Sequence, residues 1–141
     1  MFKKFKFSLL AIAFAMFIGL FVSCAPQPSG SASIYGTWKS NGDGYTITET
    51  TVVYDYDDGV WSFTGAIEEI TSDYIFYSLE NKTKFYAICY KNLTEISCDF
   101  SNAYKDEDAG GKAYCDSLEN AKKEFTIENG YYGLFGEYVR N

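Results

Sequence analysis

From Ile34 to the C-terminus the chain alternates large apolar with small polar residues at a period of two, and this constrains the fold more than any other feature. Side chains on a strand project to opposite faces in turn, so alternation gives each strand one dry and one wet face. Tyr45-Thr46-Ile47-Thr48-Glu49 and Trp61-Ser62-Phe63-Thr64 show it plainly. The pattern predicts strands over residues 34–39, 45–49, 51–56, 60–67, 73–79, 84–90 and 95–100. Asn41-Gly42-Asp43-Gly44, Asp57-Asp58-Gly59, Asn81-Lys82 and Lys91-Asn92 lie between them and carry the residues that tight turns favour. One segment departs from the period. Asp116-Ser117-Leu118-Glu119 has the form of a capping box, and Leu118, Ala121 and Phe125 follow at helical spacing, which predicts a helix of about two turns. Residues 125–128 and 131–139, around Asn129-Gly130, read as a closing hairpin. Strands in sequence order with short turns predict an all-β, mainly antiparallel domain over residues 34–141. It would be a small up-and-down meander barrel with one short helix near the C-terminus, its sheet edges removed by closure.

The 141 residues support one ordinary domain. There is no histidine, which excludes Ser-His-Asp and Cys-His catalytic sets and the common zinc sites. A net charge of −7 argues against a nucleic-acid partner. Residues 1–23 differ in composition: Lys3, Lys4 and Lys6 precede an almost wholly apolar run from Phe7 to Val22, which stops at Ser23 and Cys24. This is the order of a secretion signal. Its removal takes three of the 12 basic residues and none of the 19 acidic ones, leaving nine against 19, so the mature chain carries −10. Residues 25–33 hold both prolines among small polar residues and read as a flexible tether.

Phe21-Val22-Ser23-Cys24 resembles a bacterial lipobox, in the relaxed form of spirochaete-type lipoproteins with Phe at its first position. The resemblance implies cleavage before Cys24 and a covalent lipid on its thiol, with no other cofactor. Two or three acyl chains, at about 0.8 kcal/mol per buried methylene, would hold the domain on a membrane. Ala25 stands where an inner-membrane retention signal often shows Asp, which points to the outer membrane of the cell envelope. Gly36-Thr37-Trp38 in the first strand resembles the G-x-W motif of the lipocalin and fatty-acid-binding-protein group, the calycins. In that group the Trp closes one barrel end and a late Arg stacks on it, which implies that Arg140, the only arginine, pairs with Trp38.

Three cysteines remain after Cys24. A Cys98–Cys115 disulfide would close the acidic loop between them, Cys89 with Cys98 is the competing pair, and Cys89 alone suits a small buried hydrophobe. Asp55, Asp57, Asp58 and Gly59 recur in the manner of a calcium loop, and Asp106, Glu107 and Asp108 form a second acidic cluster. Neither fits the spacing of an EF-hand, so both read as solvated turns. Glu68 and Glu69, adjacent on a strand, would face opposite sides and not converge as an acid–base pair. The strand tyrosines Tyr45, Tyr54, Tyr56, Tyr74, Tyr77, Tyr86 and Tyr90 are expected in core or sheet packing, with exposed ones suited to recognition. The expectation is a non-enzymatic, lipid-anchored binding module for a small apolar ligand at the barrel mouth. The alternative is a surface lipoprotein that binds a protein partner through a Tyr-rich sheet face. An apolar void above about 300 Å³ would favour the first.

Overall fold

The computed structural model describes residues 31–57 and 59–141, and Ala32–Asn141 forms one compact unit. Cys24, the signal segment and most of the tether lie outside the described residues. Eight antiparallel strands, β1 (Gly36–Lys39), β2 (Asp43–Ile47), β3 (Thr51–Tyr56), β4 (Phe63–Ile70), β5 (Tyr74–Leu79), β6 (Lys84–Lys91), β7 (Ser97–Asn102) and β8 (Gly136–Arg140), close into a barrel. Each pairs with its sequence neighbour and β8 returns to β1, with Trp38 opposite Arg140. The protein is therefore the small, lipocalin-like up-and-down barrel that the alternation predicts.

The inner face follows that alternation. Trp38, Tyr45, Ile47, Val52, Ile75, Tyr77, Ile88, Tyr90, Cys98, Phe100 and Tyr138 form one buried cluster inside the barrel. A second cluster lies outside the wall, where α1 (Leu118–Glu124) and the chain after it cover Phe76, Ala87 and Cys89. Ser117 is the N-cap of α1, accepting from the Asn120 N–H at 3.2 Å, and the Asn120 amide donates to Asp116 at 2.7 Å in place of the reciprocal glutamate bond of a capping box.

The closing hairpin is not formed; β8 alone completes the sheet. Asn129-Gly130 ends a turn after the helix instead: the Gly130 N–H donates to the Ile127 carbonyl at 2.9 Å with φ +80°, while the Asn129 side-chain amide donates to the carbonyls of Lys123 and Glu124 at 3.0 and 2.8 Å. Phe125, Tyr131 and Tyr132 are all buried in the outer cluster, and two consecutive buried tyrosines do not fit a half-wet strand. Strand β4 also begins later than its sequence suggests. Ser62 Oγ accepts from the Tyr56 N–H at 2.9 Å and closes the turn, leaving Trp61 outside the ladder and 71% exposed.

The Cys98–Cys115 disulfide is likewise absent: Cys89, Cys98 and Cys115 are free buried thiols. Cys98 shares the inner face with Phe100, whereas Cys89 and Cys115 belong to the outer cluster, so the barrel wall separates Cys98 from both candidate partners. Burial pushes the Cys98 thiol up to about 12 and the Cys89 thiol up to about 11, which leaves both unreactive at neutral pH.

Buried phenols make the barrel sensitive to alkali. Desolvation raises Tyr45, Tyr77, Tyr90, Tyr132 and Tyr138 above the usual tyrosine value of about 10. A raised folded-state value means that the unfolded chain releases these protons first. Their contribution is complete below about pH 10 and falls as the pH rises past it. Tyrosinate absorbance should therefore appear in one cooperative step together with loss of β-sheet circular dichroism. A gradual titration with the sheet signal intact would contradict the buried placement.

Candidate ligand-binding cleft at the open end

The two barrel ends differ because the sequence fills one and opens the other. At the closed end Trp38 is fully buried, and its indole Nε1–H donates to the Ile34 carbonyl at 2.8 Å. The Arg140 guanidinium lies 4.1 Å from the indole ring centroid. Its donors are taken by the carbonyls of Glu95, Tyr35 and Ser33, at 2.7, 2.7 and 2.5 Å. Gly36 shares this inner face with Trp38; a Cβ there would stand 2.5 Å from Arg140 Nη1, and its φ of +134° suits glycine alone. The spacing of Gly36 and Trp38 thus serves to seat the guanidinium.

The other end carries the turns β1–β2, β3–β4 and β5–β6 and the long connection from β7 through α1 to β8. Between them lies an open cleft of about 790 Å³. Tyr54, Phe63, Tyr77 and Tyr86 wall it from neighbouring strands. Phe63 and Tyr77 stack at 4.9 Å and 4°, and Tyr77 and Tyr86 at 5.4 Å and 16°. Gly65 makes room for this stack, since a Cβ there would fall 2.4 Å from the Tyr77 ring. Trp61 on the β3–β4 turn and Tyr104 after β7, 71% and 73% exposed, form lips of the cleft. Below it the barrel is solid with the rings of Tyr45, Phe100, Tyr138 and Trp38.

Polar groups at the mouth divide into satisfied and unsatisfied ones. The Asp43 carboxylate accepts from the hydroxyls of Tyr54 at 2.7 Å and Tyr138 at 2.6 Å, which binds β2, β3 and β8 together. Asn102 Oδ1, by contrast, is the one buried side-chain polar atom among the described residues without a hydrogen-bond partner. Tyr77 also lines the cleft, and its hydroxyl has no hydrogen-bond partner among the described residues. The sequence signal for Asn102 was available in the alternation: Cys98, Phe100 and Asn102 share one face, so a polar residue occupies an inner position at the end of β7. The unpaired state of Tyr77 and the lip position of Trp61 have no signal in the sequence.

The remaining candidates stay apart. Asp55 faces Lys39 at 3.9 Å on the surface, and Asp58 lies outside the described residues. Among the described residues no group of three or more acidic or cysteine side chains is arranged to hold a metal ion. Glu107 and Asp108 begin a 3-10 turn at Glu107–Ala109, and Asp106 accepts from the Tyr104 hydroxyl at 2.7 Å. Glu68 and Glu69 do not face opposite sides as expected. A register shift between Ile67 and Glu69 turns both outward, where Ser78 and Lys82 hold Glu68, and Lys122 of α1 holds Glu69. Of the strand tyrosines, Tyr45, Tyr54, Tyr77, Tyr86 and Tyr90 belong to the inner cluster and Tyr74 to the outer one beside α1, while Tyr56 lies on the cleft rim. They do not build an exposed outer sheet face.

Comparison of the chain with protein-family models, with curated proteins and with solved structures finds no match.

Proposed function

We propose that this protein is a lipid-anchored binding module of the cell envelope that holds a small, largely apolar ligand in its open mouth and performs no chemistry on it. The observation that carries this reading is the aromatic cleft of about 790 Å³ with the unpaired amide oxygen of Asn102 among its lining residues. A site that is mostly aromatic with a few fixed polar groups suits orientation of a ligand better than reaction. The strand tyrosines lie inside the barrel, beside α1 or on the cleft rim, so the Tyr-rich outer sheet face of the alternative reading lacks support. At the closed end Arg140 holds the carbonyls of Ser33 and Tyr35, so these residues lie at the opposite end of the barrel from the cleft.

The test uses the full chain in lipid nanodiscs, with empty nanodiscs as the blank, and indole as probe in titration calorimetry. Saturable binding at one site is expected, with affinity reduced about tenfold in Trp61→Ala, where an exposed ring can be removed without disturbing the core. Heat that does not saturate, or that Trp61→Ala leaves unchanged, would remove the cleft as the site. The anchor rests on Cys24 and is tested separately. Cys24→Ser should abolish acyl labelling and leave either released domain or uncleaved precursor; labelled, membrane-bound Cys24→Ser protein would refute it.

A further inference from the structure

The cleft's charges, acceptors and ring faces all favour one class of guest. We infer that the mouth of the barrel selects an organic ammonium ion carrying an aromatic or apolar body, an inference that rests on the proposed role of the cleft as a ligand site.

The first observation is the orphan acceptor. A buried carbonyl oxygen without a donor is costly to keep, and Asn102 Oδ1 is in that state at the edge of the cleft. A guest with N–H donors would satisfy it, an ammonium offering three of them, and Tyr77 lies in the same lining. A guest lacking donors would leave Asn102 as unsatisfied as before. The second observation is the density of rings. Aromatic faces attract cations through their quadrupole, most strongly where water is thinned out. Tyr54, Tyr56, Trp61, Phe63, Tyr86 and Tyr104 supply them here.

Charge distribution is the third observation. Two lysines border the cleft, which would repel a cation if their ammonium groups faced it. Both have partners of their own: Lys112 Nζ pairs with Glu124 at 3.3 Å, and Lys105 Nζ lies 5.6 Å from the Tyr131 ring centroid. Tyr131 belongs to the outer cluster and itself donates to Glu124 at 2.6 Å, so the partners of both cations centre on Tyr131 and Glu124. Asp106 and Glu107 remain on the lip, and the Asp43 carboxylate lies at the same end of the barrel. A mature chain with 19 acidic against nine basic residues adds a field that concentrates cations at its surface.

The discriminating probes are tryptamine and tryptophol, which share the indole body and differ in an ammonium against a hydroxyl. Binding is measured by calorimetry on the full chain in nanodiscs of uncharged lipid. Tryptamine should bind about tenfold or more tightly than tryptophol at low salt, as expected for a cation placed on rings and a buried acceptor. The ratio should shrink as salt is raised. Asn102→Leu, close in shape and without the amide, should reduce the ratio several-fold. Unaltered Trp38 emission in Asn102→Leu combined with Trp61→Phe shows that the barrel is intact. Equal affinities for tryptamine and tryptophol, with indole still bound, would overturn the ammonium assignment and leave the cleft standing. Failure of all three probes would overturn the cleft itself. A tenfold preference that survives Asn102→Leu unchanged would overturn the role given to Asn102.

Discussion

Trp38→Ala is expected to lower the unfolding free energy by about 3–5 kcal/mol, the range for removing a large aromatic side chain from a packed core. For a domain of this size that corresponds to a fall in Tm of ~10–20 °C. The residue has no exposed surface, packs edge to face on Phe100 at 5.8 Å and 67°, and uses its indole N–H on the Ile34 carbonyl. Its loss leaves a cavity at the closed end and frees the chain at Ser33 to Tyr35, whose carbonyls Arg140 holds. Arg140→Ala should cost less, about 1–3 kcal/mol, because its carbonyl bonds are partly replaced by water. The two effects should not add. A double-mutant cycle in urea unfolding should return a coupling of about 0.5–2 kcal/mol for the stacked pair. Additivity of Trp38→Ala with Arg140→Ala would mean that the guanidinium lies over the indole without contributing energy.

This closed end was the more legible half of the molecule. Gly36 and Trp38 are far from Arg140 in sequence, yet the closure of β8 on β1 sets Trp38 opposite Arg140, and alternation places Gly36 on the same face as Trp38. Parity along the strands also carries more than the spacing of cysteines. Cys89 lies between Ile88 and Tyr90, both inner residues, and so belongs outside; Cys98 precedes Phe100 by two and so belongs inside. Bringing two sulfurs together needs a shared face, which loop length between cysteines does not report. The closing hairpin failed for a related reason. Asn-Gly suits an isolated turn whose Asn side chain reaches back to a helix end as readily as it suits a hairpin, and only the buried pair Tyr131-Tyr132 distinguishes the two uses. The shift that turns Glu68 and Glu69 to one side adds a residue to one strand and has no period of its own to announce it.

The cleft was less legible, because its volume depends on how rings share space across five strands. Gly65 tests that dependence directly. Its partner across β3 is Val52, and its missing side chain is replaced in the interior by the Tyr77 ring, whose Cδ2, Cγ and Cε2 would lie 2.4, 3.2 and 3.3 Å from an added Cβ. That ring cannot swing freely, since Phe63 stacks on one side and Tyr86 on the other. Gly65→Ala should therefore destabilise the barrel by about 1–3 kcal/mol through overpacking, although alanine ordinarily suits a strand better than glycine. Tyr77→Leu alone should also cost stability by leaving a void. The combination should recover part of both losses, with a favourable coupling of about 1 kcal/mol or more, because the smaller side chain vacates the space that the new methyl enters. The same pair separates packing from binding. If Gly65 exists to seat the Tyr77 ring as a wall of the cleft, the double variant should regain stability without regaining indole affinity. Equal recovery of stability and affinity would show that the cleft needs only a filled wall, and strict additivity in urea unfolding would show that Gly65 and Tyr77 do not share that space.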